Sequence, residues 1–324
     1  MPITPPSSTD VHISSALTNY SEFWLQARAA FIGMEGMPNN PVQKEFDTYH
    51  TWDRADLYRD EFAVVADGGV APDMRMTKST DTYAATVRML RKPITTRQQT
   101  NQDPSIQLQR RATAALMQKA MIQRDRHWVT TFFGTTIWTA TGTDTTPTVK
   151  WDIAATSTPI QDIRDGIFAV SLSGLEANRI TFGKRAWNTF LSNDQVLDRV
   201  SGGSTNAQPA LVNRQLVAQL FELERVDVIS SVFNSATPGD AEVLAPIGDD
   251  DVLIYHAPLG TSEDSPTAGM QFSWAGLTGS TDSGIRIRTY TNTERETDYV
   301  EALTAYDFKV TASELGFFIP NVTT

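Results

Sequence analysis

Residues 104–138 read as one long helix, entered directly from a charged, strand-like stretch over residues 49–96 with Gly68, Gly69 and Pro72 near its middle. That order of parts constrains the fold more than any other feature. A helix of about 30 residues would span about 45 Å, which is long for a compact domain. Asp103 reads as its N-cap, Pro104 as its first helical residue, and Gly134 as its end. It carries two apolar stripes: Ala114, Met117, Met121, Trp128 and Phe132, and Leu108, Ala112, Ala115, Leu116 and Phe133. A helix apolar on two sides is expected to lie between layers. A protruding two-stranded loop mounted on such a helix suits a protein that holds its neighbours better than one that builds a pocket.

The loop is expected to run out along residues 49–57 and return along residues 82–89, with a flexible tip around Ala66, Asp67, Gly68, Gly69 and Val70. A connection of this length is usually functional or disordered. Asp53, Arg54, Asp56, Arg59, Asp60 and Glu61 alternate in sign, which fits a solvated surface or a salt-bridge register with a neighbouring chain. Upstream of the loop, Leu17, Tyr20, Trp24, Ala27 and Phe31 recur at spacings that place them on one helical stripe. That stripe packs on the chain's own core or on a neighbouring subunit. Residues 1–12 are rich in Pro and Ser and read as an extended arm.

Beyond the long helix the pattern alternates. A helix is expected from Pro159 to Leu172 with a stop at Gly174, then a strand over residues 179–182 and a helix over residues 184–191. A Gly202-Gly203 loop, a helix over residues 210–220, and strands over residues 226–230 and 252–255 follow. This reads as an α/β unit. Strands are then expected over residues 285–290, 298–303, 308–311 and 317–319, so the whole chain is of the α+β class.

Composition narrows function mainly by exclusion. The 324 residues include no cysteine, which removes disulfides, thiolate nucleophiles and Cys-ligated metals. No apolar run is long enough to span a membrane, and the N-terminus lacks the regions of a secretory signal. The net charge of −11 argues against a dedicated nucleic-acid binder. The charge is uneven: residues 234–284 hold eight acids and no Lys or Arg, whereas residues 104–138 hold Arg110, Arg111, Lys119, Arg124 and Arg126 against Asp125 alone. Such asymmetry suits different faces meeting different partners. His12, His50, His127 and His256 form no metal-ligand pair. Gly183-Lys184-Arg185 lacks the upstream glycine and the Ser/Thr of a phosphate loop. Asp249, Asp250 and Asp251 read as a solvated loop before a strand. No cofactor is expected.

The segments 49–61, 79–83, 101–104 and 119–138, in this order, resemble the tailed-bacteriophage major capsid proteins of the Hong Kong 97 fold. The resemblance implies an N-terminal arm over residues 1–46 and an extended loop over residues 47–97. It implies a peripheral domain with a spine helix over residues 98–150 and 285–324, and an axial domain over residues 151–284. It further implies a homo-oligomer, pentamers and hexamers tiling an icosahedral shell around double-stranded DNA in a virion assembled in the host cytoplasm. A separate scaffolding protein is expected because the arm starts close to Met1. A portal, a decoration protein and weak non-specific contact with packaged DNA complete the implied partners; no membrane is involved. Intersubunit contacts are expected from Leu17, Tyr20, Trp24, Phe31, Asp53, Arg54, Asp56, Arg59, Asp60, Glu61, Gly68, Gly69, Arg75 and Lys78. A tail or adhesin component is the alternative, and an α/β enzyme using Asp162, Asp165 and Glu176 a third reading.

Overall fold

The computed structural model describes residues 26–52, 54–101, 107–201, 212–258, 260, 265–278 and 284–324. Among the described residues of the arm, a 3-10 turn at Arg28–Ala30 precedes strand β1 (Asn39–Val42). The stripe is therefore not one helix through Phe31, and Phe31 is buried in its own chain rather than offered to a neighbour. Leu17, Tyr20 and Trp24 lie outside the described residues.

Strand β2 (Phe46–Trp52) and strand β3 (Lys78–Ala84) pair antiparallel over their full length, separated by a one-turn helix α1 (Arg54–Leu57) and a long irregular tip. The outgoing strand thus starts and ends earlier than residues 49–57. The return strand also comes earlier. Strand β4 (Val87–Thr95) leaves the loop and pairs elsewhere. Its end is capped: the Thr95 side chain accepts from the Gln98 N–H and the Gln98 side chain accepts from the Thr95 N–H, starting helix α2 (Thr96–Thr100).

The long helix α3 runs Leu108–Phe132, 25 residues, or about 37 Å. Asp103 and Pro104 lie outside the described residues. The helix stops before residue 138 because the Trp138 side chain folds back and its indole N–H donates to the Phe132 carbonyl at 2.9 Å. That satisfies one of the acceptors a helix end leaves open.

Next come helix α4 (Pro159–Ser171), strand β5 (Arg179–Phe182), helix α5 (Lys184–Ser192), helix α6 (Asp194–Ser201) and helix α7 (Arg214–Leu220). Proline opens α4, and Gly174 follows it at φ +88°, the left-handed conformation that ends helices. Strands β6 (Arg225–Val228), β7 (Val232–Asn234), β8 (Leu244–Pro246), β9 (Val252–Tyr255), β10 (Gly269–Trp274), β11 (Ile285–Asn292), β12 (Thr297–Val310) and β13 (Gly316–Ile319) follow, with a one-turn helix at Ala275–Thr278 and a 3-10 turn at Ser313–Leu315.

Two larger sheets organise them. One has the order β13-β9-β5-β6; the other has β1-β10-β12-β11, with β4 also on β12. In the first, side chains alternate between two cores, as a strand's period of two requires. Val252 and Ile254 join Ile163, Phe182, Phe190 and Trp151 beneath the helices α4–α7. Leu253 and Tyr255 face the other way, onto Trp128 and Phe132 of α3 and Tyr306 and Phe308 of β12. A third cluster joins the first half of α3, through Ala112 and Leu116, to Ile94, Ile285 and Val300. The long helix is thus packed against both sheets. Two strands cross the expected grouping: β13 pairs with β9 in the central sheet, and β10, within residues 151–284, pairs with β12 in the other.

Candidate intersubunit surfaces

The tip between α1 and β3 makes no sheet pairing, and every residue from Phe62 to Lys78 is exposed. Phe62, Val64 and Val70 expose 102%, 104% and 92% of their surface, with Met74 and Met76 beside them. Soluble proteins seldom leave so many large apolar groups together in water, and such patches mark interaction sites. Gly68 holds φ +79°, the Gly69 N–H donates to the Ala66 carbonyl at 2.8 Å, and a Cβ on Gly68 would meet nothing within 4 Å. The turn is built by glycine and left open.

Several of the charges expected to engage a neighbour make contacts within the chain at the base of this tip. Arg59 lies 3.6 Å from Asp56 and 3.4 Å from Glu61. Asp56 accepts from the Thr77 N–H at 2.8 Å, tying the two legs together, and this holds its carboxyl below the usual range. Asp60 accepts from the Phe62 N–H at 3.3 Å. Arg54 and Arg75 are exposed, and Lys78 opens β3 opposite Trp52. Asp53 lies outside the described residues. Arg59, Asp56 and Glu61 thus form ion pairs within the chain, beside an exposed apolar tip. Its residues were visible in the sequence, but alternating charge next to them was the louder pattern.

A second arrangement fixes the arm to the body, and sequence gave no sign of it. Asp125, read there as the lone acid of a basic helix, is buried. Its Oδ1 accepts from the Ile32 N–H (3.1 Å) and the Gly33 N–H (2.7 Å), and its Oδ2 from the Ser231 hydroxyl (2.6 Å). Burial pushes its carboxyl up to about 6 despite those three donors. From the other side, Arg179 donates to the Glu35 carbonyl at 2.8 Å, and the Tyr255 hydroxyl to the Gly36 carbonyl at 2.9 Å. Side chains on either glycine would collide: a Cβ at Gly33 lies 2.9 Å from Asp125 Oδ1, and one at Gly36 lies 3.0 Å from Trp128 Nε1. Arg124, also buried, stacks over the Tyr306 ring at 4.5 Å, and burial pulls its guanidinium down to about 10. It is therefore not placed to neutralise a phosphate; Arg110, Lys119 and Arg126 are exposed.

The remaining sequence motifs serve the fold. The N–H groups of Gly183, Lys184, Arg185 and Ala186 donate to the carbonyls of Gly248, Asp249 and Asp251, so the start of α5 is already occupied by backbone. Asp249 also pairs with Arg185 at 2.9 Å; the acidic loop is thus partly buried rather than simply solvated. Asp162 accepts from the Trp151 indole N–H at 2.7 Å, and Asp165 from Gln161 at 2.7 Å. Among the described residues, no group of three His, Asp or Glu could hold a metal ion, and no helix is long and apolar enough to cross a membrane.

No protein-family model and no curated protein matches the chain. Solved structures do match. A phage-related protein from Bordetella bronchiseptica superposes with a TM-score of 0.67 at 14% identity, covering 92% of this chain and 94% of that one. The mature capsid of bacteriophage PhiM1 gives 0.57 at 12% identity, covering 92% and 88%. The encapsulin complex from Synechococcus elongatus gives 0.56 at 10% identity, covering 95% of each. Over nearly its whole length, this chain has the Hong Kong 97 fold of phage capsid proteins.

Proposed function

We propose that this chain is a structural shell subunit: a major capsid protein whose pentamers and hexamers close an icosahedral shell around double-stranded DNA in a tailed-phage virion. The exposed apolar tip carries the reading. Within this fold, a two-stranded arm ending in Phe62, Val64 and Val70 supplies what a lattice subunit needs and a solitary protein avoids. Many modest contacts of this kind, repeated around a closed shell, sum to high stability. In this reading residues 1–46 are the arm, 47–97 the extended loop, 98–150 and 285–324 the peripheral domain, and 151–284 the axial domain, the last two interlocked by β10 and β13. A separate scaffolding protein, a portal and a decoration protein are its partners, and catalysis is no part of the role. Exposed Arg110, Lys119 and Arg126 suit weak, salt-sensitive contact with DNA.

The likeness to an encapsulin favours one second reading, a shell that encloses something other than DNA. Nuclease treatment of particles recovered from the native source separates the two. Protected double-stranded DNA is the expected content; particles holding protein alone would support the second reading.

A further inference from the structure

The sheet of β4, β12 and β11 has an inner and an outer face. Ile94, Ile285, Val300 and Ala302 point inward, onto Ala112 and Leu116 of α3. The residues between them point outward and fall in register across the three strands. Arg91, Glu301 and Arg288 form one row, with Pro93, Tyr299 and Tyr290 on one side of it and Met89, Leu303 and Arg286 on the other. Met89, Arg91, Arg286, Arg288 and Tyr290 are exposed, so three guanidiniums lie around one buried carboxylate.

Two of these guanidiniums are held in place. Arg91 lies over the Tyr299 ring at 4.7 Å and donates to the Tyr290 hydroxyl at 3.1 Å. Arg288 pairs with Glu301 at 2.7 Å, and the Tyr290 and Tyr299 rings stack at 5.3 Å. Arg and Tyr side chains fixed before binding lose little freedom on it, and these residue types dominate the energy of protein interfaces. A carboxylate at the centre and apolar groups at the edge suit a polypeptide with acids beside apolar side chains better than a phosphate chain.

The same chain carries that complement. Between β7 and β8, every residue from Thr237 to Leu244 is exposed. The turn is built by hydrogen bonds: Asn234 Oδ1 accepts from the N–H groups of Ala236 and Val243, and the Asp240 N–H donates to the Thr237 carbonyl at 3.1 Å. It presents Asp240 and Glu242, neither in an ion pair among the described residues. Beside them Val243 and Leu244 leave 55% and 61% of their surface in water. The two acids stand two residues apart, as Arg286 and Arg288 do.

These surfaces do not meet within one subunit. The outer face of the sheet points away from α3, whereas the β7–β8 hairpin packs on α3 itself, the Arg126 guanidinium lying over the Phe233 ring at 4.5 Å. We infer that the β7–β8 turn of one subunit docks on the outer Arg–Tyr face of the next. Two different surfaces in contact make a head-to-tail interface, which closes into a ring when its rotation allows. The inference deepens the shell reading and rests on it for the neighbouring copies.

Charge reversal in two full-length chains tests the contact. One variant carries Asp240→Lys and Glu242→Lys. The other carries Arg91→Gln and Arg286→Glu, which reverses the sign of the face and leaves the Arg288–Glu301 pair in place. Each variant alone sets like charges together and is expected to cut the yield of rings and shells at least about tenfold, read by sedimentation velocity and negative-stain microscopy. The turn variant, changed only at exposed positions, is expected to keep the wild-type melting temperature. Mixed in equal amounts, the two variants are expected to assemble again, because each turn now meets a face of opposite sign. Strict alternation permits rings of six and excludes rings of five. Wild-type yield from either variant alone would overturn the contact, as would a mixture that assembles no better than its parts. A face variant that assembles normally but loses DNA binding would assign the face to nucleic acid and overturn it too. If the wild-type chain assembles and both variants do as well, this contact alone fails; a wild-type chain that stays monomeric removes the shell reading and the contact with it.

Discussion

Replacing Asp125 with alanine is expected to lower subunit stability by about 3 kcal/mol or more, because it strands buried N–H donors at about 1–3 kcal/mol each. The donors are the backbone N–H groups of Ile32 and Gly33, together with the Ser231 hydroxyl. A loss of that size is a large part of a domain's total stability. Asp125→Asn is expected to be mild. Its Oδ1 can keep both backbone bonds, and its amide can donate to Ser231 Oγ in place of the bond Oδ2 accepted. The same pair of proteins carries a pH signature. Burial raises the Asp125 carboxyl to about 6 from 3.8, so the folded chain holds this proton more tightly than the unfolded one. The associated stability is fully present below pH 3.8, falls as pH rises through about 6, and amounts to about 2–3 kcal/mol. Other carboxylates, the buried Asp227 and the half-buried Asp162 and Asp251, are shifted the same way, so the wild-type slope alone does not isolate Asp125. The difference between wild type and Asp125→Asn does. Urea denaturation midpoints at pH 4.5 and pH 7 should separate the two proteins at one pH more than at the other. A constant separation would remove Asp125 as the titrating group.

Deleting residues 62–76 is expected to leave a folded subunit that forms no closed shells. The segment is exposed throughout and belongs to none of the three cores, so its removal should leave the melting temperature almost unchanged. What it removes is the apolar surface of Phe62, Val64, Val70, Met74 and Met76. Each such side chain, if fully buried on a neighbour, contributes about 1.5–3 kcal/mol. The loss recurs at every contact around a shell, so assembly should fail as a whole rather than in proportion. The bracing pairs Arg59–Asp56 and Arg59–Glu61 stay in the truncated loop, so the deletion separates their contribution from that of the tip. Sedimentation velocity of the deleted and intact chains reads both outcomes, and normal particles from the deleted chain would sink the assignment of the tip.

Local patterns were legible where burial was uniform. The strands β5 and β9 are buried at every residue; β9 appears in the sequence as a short apolar run, and β5 as an Ile180–Phe182 pair with a clear end at Gly183. Strand β12 was harder. Its 14 residues read as two strands because polar Thr304 and Asp307 interrupt the pattern, yet Asp307 is there to accept from the Ala84 N–H at 3.0 Å. Asp125 was illegible for a different reason. Its partners Ile32, Gly33 and Ser231 are some hundred residues away in either direction, and local sequence does not report which backbone groups a side chain will meet. The end of α3 shows the same limit, since it depends on Trp138 turning back to the Phe132 carbonyl.

The claim that this chain builds a shell is tested most directly by negative-stain electron microscopy of the purified full-length protein, alone and with a scaffolding protein from the same source. Closed icosahedral particles, or rings of five and six subunits, are the predicted result. A chain that stays monomeric under both conditions would contradict it.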